Sequence, residues 1–135
     1  MKKILVVGAN GQLGHCLQKS ATAYQYTYQF NFANSSTLDI TNLDQIDAVI
    51  SEFQPDFCIN ASAYTAVDLA ETEVDKAFAV NAFGVGNLAQ VCADNNCTFI
   101  HVSTDYVFEG NTNIDYSEDN FTSPIGVYVS SKLKG

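Results

Sequence analysis

The chain contains no arginine, and its six basic residues are all lysines. Fifteen acidic residues give it a formal net charge of −9. Proteins that bind nucleic acid usually carry a clustered basic patch, so this composition argues against a nucleic-acid partner. An acidic chain that binds an anionic ligand must instead use local donors, such as the backbone N–H groups at the start of a helix and individual lysines.

Long hydrophobic runs are also missing. The first apolar run, Ile4–Val7, follows directly on Met1-Lys2-Lys3. A run of this length is too short for a signal peptide or a membrane span. We therefore expect a cytoplasmic protein that has no membrane partner.

The cysteines lack the C-x-x-C spacing that is typical of metal and redox sites. They are Cys16, Cys58, Cys92 and Cys97. Cys16 falls on the apolar face of a predicted helix and Cys58 in a predicted core strand, so we expect buried free thiols rather than disulfides or metal ligands. His15, on the first helix, and His101, in a core strand, are expected to have structural roles.

Hydrophobic periodicity predicts alternating strands and helices in a single domain, residues 1–135. The second strand, Tyr26–Phe32, alternates aromatic with polar residues, which indicates that one of its faces meets solvent or polar groups. The other predicted elements are a strand before Gly8, a helix after it, a helix from Thr41 to Pro55, a strand Phe57–Ile59, a helix from about Glu71 to Asn95, a strand from Thr98 and a last helix from Pro124.

The first strand runs directly into glycines spaced three residues apart, at Gly8, Gly11 and Gly14. In a dinucleotide site, the first glycine permits a tight turn, the second lets the backbone approach a pyrophosphate, and the third lets the helix pack on the strand. The dipole and free N–H groups of the helix start then attract the phosphates. The alternative is a glycine-rich turn without a ligand.

Polar side chains follow the strand that begins at Thr98, in the sequence Ser103-Thr104-Asp105. Ligands of open α/β sheets bind beyond the carboxyl ends of the strands. A hydroxyl group at this place could donate a hydrogen bond to a substrate carbonyl. An ordinary Ser/Thr turn that closes the strand is the alternative.

Tyr128 and Lys132 stand four residues apart, which places both on one face of a helix. A cation within a few Å of a phenol favours the phenolate, so this pair can form a proton donor that works at neutral pH. By itself the spacing is common on exposed helices. Its occurrence together with the glycine turn and the Ser-Thr-Asp sequence favours a catalytic pair.

Alternating strands and helices predict a parallel sheet with right-handed crossovers. We expect a Rossmann-like, doubly wound α/β fold with strand order 3-2-1-4. The crossovers would reverse direction between strands one and four. Residues 8–14 and 103–105 would then face each other across a crevice that holds a cofactor.

Five sequence stretches resemble the extended short-chain dehydrogenase/reductases and, within them, the family of dTDP-4-dehydrorhamnose reductases. They are Gly8–Gly14, Pro55–Glu71, Asn81–Ala89, Ser103–Gly110 and Tyr128–Gly135. Val129, Ser62 and Glu109 depart from the family's usual Gly, Ala and Asp. Family members are considerably longer than this chain. The resemblance therefore implies a truncated sheet and an amino-terminal dinucleotide-binding fragment, without the carboxy-terminal substrate domain.

The resemblance implies that the protein reduces the 4-keto group of a dTDP-linked 4-keto-6-deoxy sugar with NADPH or NADH. Tyr128 would be the general acid, Lys132 would hold the nicotinamide ribose, and Thr104 would be their hydroxyl partner, with Asp105 near the substrate. The implied cofactor-binding residues are Gly8, Asn10, Gly11, Gln12, Leu13, Gly14, Asp39, Ile40, Ala61, Ala63, Tyr64, Tyr128 and Lys132. No metal ligand is implied, and a homo-oligomer is expected.

The choice between NADH and NADPH stays open in the sequence. An acidic residue about 20 positions past the glycines usually binds the ribose 2′-hydroxyl, whereas an arginine accommodates a 2′-phosphate. Residues 33–36, Ala-Asn-Ser-Ser, offer neither. Two other functions also stay open: a catalytically silent regulatory subunit that binds a cofactor or a sugar nucleotide, and an epimerase or dehydratase that acts on another nucleotide sugar.

Overall fold

The computed structural model describes residues 1–111, 113 and 115–135. These residues form one four-stranded parallel sheet and the helices that connect its strands. The strands are β1 (Lys2–Val7), β2 (Tyr28–Ala33), β3 (Phe57–Asn60) and β4 (Thr98–His101). The helices are α1 (Gln12–Ala21), α2 (Leu43–Phe53), α3 (Val67–Ala70), α4 (Val74–Phe78), α5 (Val85–Asp94) and α6 (Val127–Lys134). The predicted Rossmann-like α/β class is confirmed.

The strand order is β2-β1-β3-β4, and the predicted order 3-2-1-4 is wrong. Strand β3 pairs with β1, from Ile4 opposite Phe57 to Val7 opposite Asn60, and not with β2. The connection through α2 therefore crosses to the other side of β1. The crossovers reverse direction between β1 and β3, which moves the expected crevice to the ends of these two strands.

The aromatic alternation of β2 is explained by its place at the edge of the sheet. Tyr28, Phe30 and Phe32 follow one another along one face, with ring centroids 6.2 and 5.7 Å apart. Strands at the interior of a parallel sheet are usually apolar on both faces, whereas an edge strand tolerates polar residues. The alternation was thus a sign that β2 is an edge strand, which the order 3-2-1-4 contradicts.

One apolar core fills the space between the sheet and the helices α2 and α5. Its fully buried members include Leu5, Ile46, Ile50, Cys58, Leu88 and Cys92. Three of the cysteines are buried as expected, but Cys16 is exposed. The buried face of α1 contains Gly14 and Ala21. Successive residues of an α-helix are rotated by about 100° around its axis, so Cys16, two residues after Gly14, points away from that face.

The long helix predicted from about Glu71 to Asn95 is divided. Its middle, Ala79–Gly84, is a π-helix between α4 and α5. Such π-helical turns are frequent at functional sites.

The last helix begins later than predicted, at Val127, after Gly126 with φ of 91°. Among the described residues, no helix combines the length and the apolar character that a membrane crossing requires.

Candidate functional site

The glycine turn connects β1 to α1 and opens one end of the crevice. Gly8 has a φ of 86°, and a Cβ atom there would lie 2.5 Å from the backbone nitrogen of Ser62, so only glycine fits. Gly14 is buried against the backbone of the turn. Gly11 differs, because the nearest atom to its Cβ position is 3.4 Å away. The free space at Gly11 faces the crevice, where a ligand can approach the backbone.

The start of α1 supplies backbone donors to this space. Gly11 is the N-cap residue, and it has no side chain that could accept from the first N–H groups of the helix. Unpaired N–H groups and the helix dipole together attract phosphate. This geometry fits a pyrophosphate, as the glycine spacing predicts.

A crevice of about 670 Å³ lies at the carboxyl ends of the strands. Most of the predicted site residues line it: Gly8, Asn10, Gly11, Gln12, Leu13, Asp39, Ile40, Ala61, Ala63, Tyr64, Tyr128 and Lys132. Gly14, Thr104 and Asp105 are outside the lining. The lining also contains Ser103, Asn34 and Ser35, which the sequence places near the cofactor, and it adds Ser62, Val80 and Val102, which the sequence did not indicate.

Two of the three residues predicted to be catalytic, Tyr128 and Lys132, reach the crevice from α6. Lys132 is only 4% exposed, and its Nζ donates to the backbone oxygen of Val102 at 2.7 Å. Burial lowers the pKa of Lys132. The ammonium group is thus fixed at the end of β4, on the same crevice wall as Tyr128.

The loop after β3 forms the floor of the crevice, and one buried side chain holds it. Asn81, 1% exposed, accepts from Tyr64 N at 2.8 Å and donates to Tyr64 O at 3.0 Å. Its amide nitrogen also donates to Ser131 Oγ at 3.0 Å, and Ser131 Oγ donates to Tyr128 O at 2.7 Å. Asn81 therefore ties the crevice floor to the helix that carries Tyr128.

The side chain of Tyr64 is held as firmly as its backbone. Its hydroxyl donates to Glu73 Oε2 at 2.5 Å. This hydrogen bond raises the pKa of Tyr64 to about 12 and lowers the pKa of Glu73. Lys76 lies 3.2 Å from the same carboxylate oxygen and 5.5 Å from the ring centroid of Tyr64. Tyr64 therefore stays a neutral phenol and serves as a fixed wall of the crevice.

Thr104 and Asp105 lie beyond β4, next to the crevice wall formed by Val102 and Ser103. Thr104 caps a 3-10 turn, Asp105–Val107, and its Oγ1 accepts from Tyr106 N at 3.3 Å. The side chain of Asp105 is exposed. Thr104 therefore does what a Ser or Thr usually does at a turn, since its hydroxyl closes the turn after β4. Because both residues lie beside the crevice, their side chains are still accessible to a ligand.

Asp39 lines the crevice, and its side chain also accepts hydrogen bonds from a neighbouring residue. Its Oδ1 accepts from Thr41 N at 2.9 Å and from Thr41 Oγ1 at 2.7 Å, just before α2. The loop after β2 is closed similarly, because Asn34 Oδ1 accepts from Ser36 N and Oγ at 2.9 and 2.6 Å. Asp39 and Lys132 both line the crevice and carry opposite charges.

The missed residues carried weak signals in the sequence. Asn60 and Asn81 are polar residues inside otherwise apolar segments, and both are fully or almost fully buried. A buried amide normally has hydrogen-bond partners, so each of these two asparagines indicates a specific partner, although the sequence does not show which residue that partner is.

Among the described residues, no three His, Cys, Asp or Glu side chains lie close enough together to bind a metal ion.

The parallel sheet, its reversal between β1 and β3 and the crevice at the strand ends define an α/β protein of the Rossmann-like class. Within that class, the chain belongs to the family described as RmlD substrate binding domain, whose model matches residues 1–135.

The relatives and solved structures that it matches agree with this family. The chain is 43% identical to a dTDP-4-dehydrorhamnose reductase of Aggregatibacter actinomycetemcomitans, over 100% of this chain and 46% of the relative. A crystal structure of such a reductase from Bacillus anthracis, in complex with NADP, superposes with a TM-score of 0.94 at 38% identity, covering 99% of this chain and 48% of that one.

Other solved structures share the fold alone. A UDP-glucose 4-epimerase of Thermus thermophilus has a TM-score of 0.87 at 18% identity, covering 97% of this chain and 47% of that one. The chain thus spans about half the length of the relatives that it matches.

Proposed function

We propose that this chain is the nicotinamide-binding half of an enzyme that reduces the 4-keto group of dTDP-4-dehydro-L-rhamnose to give dTDP-L-rhamnose. The observation that carries the proposal is the meeting of the glycine turn, Tyr128 and Lys132 in one crevice at the strand ends. The names of the relatives support the substrate. The remaining part of the sugar-nucleotide pocket would come from a carboxy-terminal domain.

The crevice fits NADPH or NADH. The free space at Gly11 and the N–H groups of α1 suit the pyrophosphate. Ala61, Ala63 and Tyr64 would bound the middle of the cofactor, and Asp39 and Ile40 its adenosine end. Residues 34–36, directly after β2, carry no acidic side chain that would repel a 2′-phosphate, and the chain has no arginine that would hold one, so we propose that either cofactor is accepted.

The reaction needs a hydride and a proton. The nicotinamide supplies the hydride when it is bound. Tyr128 would donate the proton to the 4-oxygen of the sugar, with Lys132 beside it to stabilise the phenolate that is left. Thr104 would donate a hydrogen bond to the same oxygen, and Asp105 would contact the sugar.

Burial prepares Lys132 for this role. The Val102 carbonyl fixes the ammonium at 2.7 Å, so little rotamer entropy remains to be lost when the ribose hydroxyls bind. Asn81 and Ser131 meanwhile hold the backbone of Tyr128. Holding reacting groups in a fixed geometry accounts for a large part of enzymatic rate enhancement.

The test uses the full-length reductase, dTDP-4-keto-L-rhamnose, and NADH or NADPH in separate reactions. Consumption of the reduced cofactor should depend on the sugar nucleotide, and dTDP-L-rhamnose should accumulate. A protein that binds the cofactor but consumes none would instead be the silent regulatory subunit. Release of an epimerised or dehydrated sugar without net oxidation of the cofactor would identify the other enzyme class.

We also propose that the protein works in the cytoplasm as a homo-oligomer. Three of its four cysteines are buried free thiols, which suits a reducing compartment. In the chain as given, β4 is paired on one side only among the described residues, and an open strand edge favours association. Sedimentation equilibrium of this 135-residue chain should show a species larger than the monomer. A monomer at micromolar concentration would refute the oligomer.

A further inference from the structure

A partly buried polar network joins the ends of β3 and β4 at the crevice. Asn60 and His101 are the last residues of these strands and pair in register. The amide nitrogen of Asn60 lies 3.2 Å from His101 Nδ1. The amide oxygen of Asn60 accepts from Ser62 N at 3.0 Å and from Ser62 Oγ at 2.5 Å. Because a backbone N–H can only donate, the contact with Ser62 fixes the orientation of the amide.

The orientation of the amide determines the tautomer of His101. An amide NH₂ group only donates, so Nδ1 of His101 must accept, and the neutral ring then carries its proton on Nε2. In the part of the chain that the structure describes, Nε2 is buried and has no hydrogen-bond partner. A protonated ring would carry a hydrogen on Nδ1 as well and would lose the bond from Asn60.

His101 also lies beside the proposed catalytic lysine. The next residue, Val102, gives its carbonyl oxygen to Lys132 Nζ at 2.7 Å. Burial lowers the pKa of His101, and the positive charge of Lys132 lowers it further. The other titratable side chains on the neighbouring elements are Cys58 on β3, Cys92 and Asp94 on α5, and Tyr128 and Lys134 on α6.

We propose that His101, in its neutral form, is a positioning residue for Lys132. Its bond with Asn60 fixes the end of β4, and the end of β4 presents the Val102 carbonyl that receives the ammonium. Protonation breaks the bond with Asn60 and places a second positive charge beside Lys132, so Lys132 is displaced from the crevice. The proposal rests on the function proposed above, in which Lys132 binds the ribose.

The test measures NADH binding to the full-length reductase by fluorescence as the pH falls from neutral. NADH is chosen because the 2′-phosphate of NADPH titrates near pH 6. His101→Leu removes the acceptor and should weaken NADH binding about 3- to 10-fold at neutral pH. His101→Asn keeps an acceptor at the place of Nδ1 and cannot be protonated, so it should bind NADH about as well as the parent.

The pH profile distinguishes positioning from simple packing. Because the pKa of His101 lies below its ordinary value of about 6.5, NADH binding by the parent should weaken only at pH values below that, and in His101→Asn this weakening should be absent. The same two substitutions at His15, which is exposed on α1, should leave affinity and profile unchanged. The proposal is overturned if NADH binding by His101→Asn weakens at low pH as it does in the parent. It is also overturned if a folded His101→Leu binds NADH as tightly as the parent at neutral pH.

Nitrogen NMR of the parent protein gives a readout that needs no variant. The resonances of His101 should show the Nε2–H tautomer at neutral pH, and the Nδ1–H tautomer would overturn the proposal even if His101→Leu did not fold. Neither measurement requires the sugar. A protein that binds NADH and passes both tests but leaves the 4-keto sugar unreduced would refute the proposed function and not the role of His101.

Discussion

The side-chain amide of Asn81 bonds both backbone polar groups of Tyr64, although 17 residues separate the two in the sequence. The same amide reaches Ser131, 50 residues further along the chain. One buried side chain thus sets the distance between the crevice floor and the helix that carries Tyr128 and Lys132. Such a residue should matter for stability and for catalysis alike.

The first prediction concerns this amide. Asn81→Ala leaves the N–H and C=O groups of Tyr64 without their partner, which should lower the free energy of unfolding by about 1–3 kcal/mol. Turnover should fall as well, because α6 loses its bond to the π-helix. Urea unfolding of the full-length protein measures the first effect. The control is Asn87→Ala, which loses one bond of 3.4 Å to Ile40 O; equal losses in the two variants would contradict the assignment.

The second prediction concerns the proton donor. Tyr128→Phe removes the phenolic hydroxyl group from the crevice wall and leaves the aromatic ring. Turnover should fall by about 10²–10⁴-fold, while the Kd for NADPH stays close to that of the parent. Tyr26→Phe is the matched control, because Tyr26 is 87% exposed and outside the crevice lining. A Tyr128→Phe enzyme that keeps more than half of the parent's rate would require another general acid.

The third prediction concerns the pyrophosphate. The Cβ atom of Gly11→Val would meet only the Gly8 carbonyl oxygen, at 3.4 Å, so the fold should survive and NADPH affinity should fall about tenfold or more, which is ~1.4 kcal/mol. Titration of the folded variant with NADPH measures the change. Gly86→Ala serves as control, because no atom lies within 4 Å of its Cβ position in α5. Unchanged affinity in Gly11→Val would mean that the turn holds no phosphate.

The fourth prediction concerns thiol reactivity. Cys16 is exposed, and the other three thiols are buried. The hydrogen bond with Cys92 and burial raise the pKa of Cys58, and burial raises the pKa of Cys97 to about 12. The hydrogen bond with Cys58 lowers the pKa of Cys92, but Cys92 is fully buried. Since a reagent must reach the reactive thiolate, one thiol of this chain should react quickly with a disulfide reagent under native conditions. Peptide mapping after labelling should locate it at Cys16, and Cys16→Ser should abolish the fast reaction. Fast labelling of Cys58 would contradict the burial.

Local patterns determined much of what the structure shows. The apolar run before Gly8 and the glycine spacing predicted the strand, the turn and the helix start, because a tight turn and a close helix packing depend on residues adjacent in sequence. The four-residue spacing of Tyr128 and Lys132 predicted one helix face for the same reason. That both residues and the glycine turn line one crevice is now a geometric fact, and their chemical roles stay predictions.

The sequence did not correctly predict which face of α1 is buried. The face of α1 that packs on the turn is centred on Gly14 and Ala21, and a stripe of small residues carries little hydrophobic signal. The more hydrophobic Cys16 was therefore assigned to the buried side, although it is exposed. The π-helix in Ala79–Gly84 was missed because it is a short segment with i→i+5 hydrogen bonds inside a run whose apolar residues otherwise follow the helical period.

The sequence by itself determined the α/β class, the strand and helix order along the chain, and the residues that stand at strand ends. Tertiary structure decided the order of strands in the sheet, since a right-handed crossover can place β3 beyond β2 or beyond β1 with equally good local geometry. The burial of apolar side chains decided the strand order, because the apolar β3 belongs in the interior of the sheet and the half-polar β2 at its edge. The bond of Asn60 with His101 followed from that order, because it joins the ends of two strands that are neighbours in the sheet. The bonds of Asn81 with Tyr64 depend on how the π-helix packs against the loop after β3, which no local pattern determines.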